Sequence, residues 1–276
     1  MGAGYITFSP FPFICEVERR IKQGGQDLSL FVDLGNMYLQ KGDKKRANKA
    51  FDDAIDKIGY STKQLTDLTM AFEGIGQLEY SVKAYLQARK LMGSNLIYIM
   101  EVATLYQRMG EYEKMMQEYF DLMDNVDGSM GSVQISLQRA LNETSNPQLA
   151  EGLKQTLIDR IHRHPDNRQY LEMMIWFSLQ QKDFQFALTQ AKAVDARFPD
   201  QEGEQVLRVA KIAHSNEDYS TAKQGYEAII SKGKGSQYYY EAKVGLLQVE
   251  FEKVNDNYAL SSDTFAYLFN IFFYFF

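Results

Sequence analysis

The sequence predicts an all-α solenoid of stacked antiparallel helix pairs, and three observations carry that prediction. Amphipathic stretches of about a dozen residues follow one another with short polar breaks and no alternating, strand-like run. Three glycines in those breaks, Gly42, Gly76 and Gly110, are each 34 residues apart. Around each glycine the apolar residues fall in the same register, and small residues occupy fixed places within it. A period of this length is the signature of a repeated supersecondary unit.

The first unit gives Phe31, Leu34, Gly35 and Tyr38 on one helix, then Ala47, Phe51 and Ala54 on the next. The second gives Leu65, Leu68, Thr69 and Phe72, then Ser81, Tyr85 and Ala88. The third gives Ile99, Val102, Ala103 and Tyr106, then Met115, Tyr119 and Leu122. After an interruption near Gly128–Gly131, a fourth helix pair runs to Pro165 in weaker phase. A fifth gives Leu171, Met174, Ile175 and Ser178, then Ala187, Ala191 and Val194, closing at Pro199. A sixth gives Val206, Val209, Ala210 and Ala213, then Ala222, Tyr226 and Ile229. Residues 238–253 form the first helix of a seventh unit, and residues 14–23 the second helix of a preceding one.

A hairpin of this kind has more apolar face than it can bury alone, so it must stack on its neighbours. A helical glycine costs about 1 kcal/mol relative to alanine. Gly35, Ala47 and Ala54 are therefore expected where helices press closest.

The first unit, F-x2-L-G-x2-Y followed by A-x3-F-x2-A, resembles the tetratricopeptide repeat family, with Phe31 where the family has tryptophan. The resemblance covers about residues 14–253. It implies a right-handed α-solenoid of about six units with partial units at both ends. The expected organisation is an atypical segment 1–13, a sub-array 14–124, an insertion or bend at 125–133, a second sub-array 134–253 and an aromatic tail 254–276. The resemblance also implies a concave face lined by the first helices, which takes a peptide or partner helix. On that face fall Asn36 and Gln40, Met70 and Glu73, Thr104 and Gln107, Trp176 and Lys211, with Val32, Thr66, Met100, Glu172, Gln180 and Leu207 beside them. Met70 and Met100 either face that groove or pack between first helices, and Trp176 either fills the core or anchors a ligand. The carboxylate clamp of chaperone-binding relatives is not expected, because Asn36 matches its asparagine but Val32 stands where it has lysine.

Composition bounds the rest. The 276 residues carry a net charge of −6, five prolines and one cysteine, with a mean hydropathy of −0.38. That fits a soluble helical protein, excludes an internal disulfide, and shows no basic stripe for nucleic acid. No metal site or cofactor is expected. His162 and His164 are two apart and do not share a helix face, and no phosphate-loop, nucleophile-elbow or zinc-protease motif is present. A protein–protein scaffold is the leading reading. The regulatory or sensory portion of a larger protein, fragmentary here, is the second. An enzyme is the third, and would need convergent titratable groups that the first helices do not offer. The start is a poor signal peptide, so the default compartment is cytoplasmic, with periplasmic or secreted the alternative if the true N-terminus is missing. No stretch is long enough to span a bilayer. The tail FAYLFNIFFYFF, eight of twelve residues aromatic, is either pinned into a groove or an aggregation liability.

Overall fold

The computed structural model describes residues 11–24, 27–144, 147–198 and 203–257. Among the described residues there are fourteen α-helices and no strand. The chain divides between Ser129 and Met130 into two compact units.

The first unit begins with α1 (Phe11–Lys22), which packs on α2 (Ser29–Gln40). Three hairpins follow in register: α2 with α3 (Lys44–Asp56), α4 (Thr62–Gly74) with α5 (Leu78–Met92), and α6 (Ile99–Met109) with α7 (Tyr112–Asn125). Successive hairpins stack first helix on first helix, α2 on α4, and second on second, α3 on α5.

The second unit holds α8 (Met130–Thr144), α9 (Pro147–Arg163), α10 (Arg168–Gln180), α11 (Phe184–Arg197), α12 (Glu204–Ser215), α13 (Tyr219–Ile230) and α14 (Tyr239–Asn257). Here α10 pairs with α11 and α12 with α13, and α14 packs on α13. The fourth pair departs from the rule, because α8 and α9 each pack against α10. Helix α14 also continues past residue 253, into the stretch expected to begin the tail.

One turn recurs in five hairpins. A residue one or two past the end of the first helix is left-handed: Gly42 (φ 77°), Gly76 (74°), Gly110 (76°), Lys182 (58°) and Glu217 (63°). The next N–H bonds back across the helix end, Asp43 to Tyr38, Gln77 to Phe72, Glu111 to Tyr106, Asp183 to Ser178 and Asp218 to Ala213, each at 2.9 Å. This satisfies carbonyls that a helix end leaves open. Asp43, Asp183 and Asp218 then cap the second helix through their carboxylates. The 34-residue glycine period is this turn seen in sequence.

Packing follows the expected register. Ala47, Phe51, Ala54, Ala88, Ala187 and Ala222 are fully buried, as are Tyr38 and Tyr85 apart from their edges. Leu34 and Tyr106 are half-buried against the same core. Pro199 lies outside the described residues. Phe51, Phe72 and Tyr80 form an aromatic triangle with centroids 4.9–5.5 Å apart. Gly35 meets this triangle so closely that a Cβ there would lie 2.1 Å from Phe51 Cε1. Gly245 on α14 approaches the Tyr226 ring in the same way, at 2.4 Å.

At the corresponding place in the other hairpins the sizes trade. Thr69 faces Tyr85, their hydroxyls 3.3 Å apart. In α10 and α11, Ile175 is large where Ala191 is small, and both are buried. Each seam sets a larger residue against a smaller one, and either helix can supply the larger.

Candidate functional site

The surface that the first helices present away from the core is the candidate site, and each unit carries its own.

In the first unit the face belongs to α2, α4 and α6. Asn36 is half-buried and Gln40 exposed on α2. Met70 on α4 is 65% exposed, so it stands on the face and does not pack between first helices. Thr104 is exposed, its hydroxyl donating to the Met100 carbonyl at 2.7 Å, and Gln107 is half-buried. Glu73 is ion-paired with Arg108 across the α4–α6 seam. Val32, expected on this face, is instead 1% exposed. It belongs to the first unit's core.

A cleft of about 980 Å³ opens beside Met70, lined by Asp27, Leu28 and Ser29 before and at the start of α2 and by Ser61, Lys63, Gln64, Asp67 and Ala71 on the α4 side. Asp33, Asp67 and Glu101 are all exposed and recur at intervals of 34 residues, one per first helix. They form an acidic row. Partial burial and then the nearby Asp27 carboxylate hold the Asp33 carboxyl above its ordinary range, with Arg20 opposing. Lys63 partners Asp67 at 2.5 Å.

The face of the second unit is more internally bonded. Glu172 on α10 accepts from Arg168 at 2.7 Å and from Gln205 of α12 at 3.3 Å. Lys211 on α12 is ion-paired with Glu241 of α14. His214 Nε2 and Glu252 Oε2 are 2.8 Å apart. Trp176 is half-buried and Gln180 exposed. Leu207 is 5% exposed and belongs to the core rather than the face.

A second cleft, of about 610 Å³, lies at the turn end of α8–α11. Gln138, Asn142, Gln180 and Gln181 supply amides to it, and Phe177 and Phe186 apolar surface. Sequence reasoning placed only Gln180 near a site, because the cleft joins a helix C-terminus, a loop edge and two later helices that share no periodic signal.

The eight residues expected to bind a ligand therefore separate into two groups of environment. Asn36, Gln40, Met70, Thr104 and Gln107 line the first unit's face, with Glu73 tied to Arg108 at its seam. Trp176 and Lys211 lie on the second unit, with Lys211 tied to Glu241. The partners Arg108, Gln205, Glu241 and Glu252 were not anticipated, although each lies 30–38 residues from its mate, about one repeat away.

Among the described residues no group of three or more His, Cys, Asp or Glu is arranged to hold a metal ion. His162 and His164 are exposed near the end of α9, and Cys15 is exposed on α1. No helix among the described residues is long and apolar enough to cross a membrane.

No family model matches the chain, and no curated protein sequence does either. Solved structures give distant likenesses. A tetratricopeptide repeat protein from Parabacteroides merdae is 14% identical, covering 90% of this chain and 99% of its own, with a TM-score of 0.31. Pseudomonas aeruginosa PilF is 15% identical, covering 84% and 99%, with a TM-score of 0.30. Acl4, an assembly chaperone of RpL4, is 13% identical, covering 82% and 97%, with a TM-score of 0.33. None of the three is close enough to lend this chain an activity. In its 34-residue register, its recurrent left-handed turn and its stacked helix pairs, the chain resembles the tetratricopeptide repeat proteins.

Proposed function

We propose that this chain is a protein-interaction scaffold whose first-helix faces hold a peptide or a partner helix, and that the face of α2, α4 and α6 is the principal site. The observation that carries the reading is the exposed Met70, set beside an open cleft and flanked by the acidic row. A methionine is an adaptable apolar contact. Amides such as Asn36, Gln40 and Gln107 can bond to an extended backbone. The row of Asp33, Asp67 and Glu101 favours a ligand carrying lysine or arginine and repels a polyanion such as nucleic acid.

The test compares captured partners of the intact chain with those of two variants, Met70→Glu and Asp33→Lys/Asp67→Lys/Glu101→Lys. All four positions are exposed, so circular dichroism should show both variants folded. Partners bound by the intact chain and lost from both variants support the site. Retention by both refutes it.

A further inference from the structure

A groove of about 430 Å³ opens between the second helices α3 and α5 of the first unit, on the other helix layer from the ligand face of α2, α4 and α6. Ile55, buried, and Leu86, half-buried, contribute apolar surface to it. Its α3 wall carries Asp52 and Asp56, one turn apart, and its α5 wall carries Lys83 and Lys90, two turns apart. All four charged residues are exposed. Among the described residues no ion pair joins one wall to the other. Lys83 instead rests its ammonium on the Tyr80 ring of its own helix, 4.3 Å from the centroid. The walls are a matched set, two carboxylates opposite two ammoniums. The repeat also keeps them level. Asp56 and Lys90 are 34 residues apart, so they hold equivalent places in successive hairpins.

We propose that this groove is where two copies of the chain meet, about a two-fold axis running along it. Such an axis lays α3 of each copy on α5 of the other. Asp56 of one copy then faces Lys90 of the other at the same height, and Asp52 comes within a turn of Lys83. Each contact occurs twice, and no charge is needed from elsewhere. A two-fold contact demands this self-complementarity, and opposite charges on facing surfaces supply its specificity. A foreign helix would have to carry both signs on opposite edges in matching register. The footprint sets the strength. Helices of 13 and 15 residues are about 20 Å long. With axes about 8–10 Å apart, the pair presents roughly 400 Å² per copy, half of the roughly 800 Å² of a standard interface. The dimer is therefore weak, in the micromolar range, and held largely by charge. It dissociates as salt shortens the screening length from about 8 Å at 0.15 M to about 3 Å at 1 M. The ligand face of α2, α4 and α6 stays open, so the dimer doubles the valency of the scaffold. The proposal does not rest on the ligand-binding reading of that face.

The experiment is sedimentation equilibrium on the full chain, from about 1 to about 100 µM, which brackets a micromolar dissociation constant. The intact chain should dimerise, and about 1 M salt should weaken the dimer roughly tenfold or more. Asp52→Lys/Asp56→Lys makes both walls basic, and Lys83→Glu/Lys90→Glu makes both acidic. Each variant alone should associate about tenfold more weakly or not at all, because like charges then face each other. Mixed in equal amounts, the two variants should associate again as a heterodimer. The chain carrying all four substitutions should dimerise by itself, since its walls are exchanged but still opposite. Circular dichroism checks that each variant is folded, and recovery in the mixture and in the fourfold variant separates a lost contact from a damaged helix. An intact chain that stays monomeric overturns the proposal. So does a dimer that neither reversal weakens, or a pair of reversed variants that do not recover each other. A monomeric chain that instead holds a foreign protein in a manner sensitive to these reversals also overturns it.

Discussion

Replacing Gly35 with alanine tests the central packing claim. In an open helix interior the change stabilises by roughly 0.5–1 kcal/mol, because glycine loses more backbone freedom on folding. At Gly35 the added Cβ would meet three ring carbons of Phe51, at 2.1, 2.5 and 2.7 Å. No real pair of carbons sits that close, so something must move. The ring has little room, because Phe51 is fully buried and bounded by Phe72 and Tyr80 at 5.4 and 4.9 Å between centroids. Overpacking of this kind costs about 1–3 kcal/mol, and the confined ring puts it at the upper end. Gly35→Ala should therefore destabilise by about 1–2 kcal/mol net, read as a lower urea midpoint by circular dichroism. Gly74→Ala is the internal control. It lies in the last turn of α4 with open space around it, so it should stabilise or be neutral. A smaller ring partner should rescue, so Phe51→Leu should cost less in the Gly35→Ala background than alone. Equal midpoints for Gly35→Ala and Gly74→Ala, or additive costs in the double variant, would refute the close-packed seam.

Three further outcomes follow from the geometry. Arg89 on α5, 6% exposed, makes a bidentate pair with Glu118 of α7 at 2.7 and 2.9 Å and also donates to the Ile97 carbonyl. Glu118→Ala strands that cation and should cost about 3–5 kcal/mol, whereas Arg89→Met/Glu118→Leu should come out near neutral by urea titration. Lys182 and Glu217 hold left-handed turn positions that the first three hairpins give to glycine. A left-handed non-glycine residue costs about 1–2 kcal/mol, and glycine returns part of that as unfolded-chain entropy. Lys182→Gly and Glu217→Gly should each raise the melting temperature. Burial, then the Glu241 and Glu252 carboxylates, push the Tyr226 phenol up to about 12, against about 10 in an unfolded chain. The folded state holds that proton more tightly, so the associated stability is intact below pH 10 and is lost as pH rises through 12. Tyr226→Phe should flatten stability against pH in that window by about 1.4 kcal/mol per pH unit.

The sequence made the hairpins legible wherever local chemistry and the period agreed. Gly42, Gly76 and Gly110 mark the same turn, and Gly35 announces its large partner Phe51. Legibility fell where the same geometry is met with other residues. Lys182 and Glu217 adopt glycine's conformation without its letter, so the later hairpins had to be found from apolar register alone. Helices α8 and α9 carry no marker, and both pack on α10. The periodicity puts Val32 and Leu207 on the groove, yet both are buried, because one step along the helix separates that face from the seam between first helices. Glu172, at the equivalent place, shows the direction by bonding Gln205 of the next first helix. The Arg89–Glu118 pair spans 29 residues with no pattern to announce it.

The ties between hairpins bear on how this chain would respond to force. Arg108 reaches Glu73 over 35 residues, Gln185 reaches Gln224 over 39 and His214 reaches Glu252 over 38. These bonds join one hairpin to its neighbour, as a row of hooks joins adjacent links. Pulled from its ends, each unit would yield link by link, each lost hairpin freeing about 34 residues. That length of extended chain is roughly 110–120 Å. Such an array would lengthen in steps of one hairpin and regain its register on release, since each of these bonds joins residues only about one repeat apart.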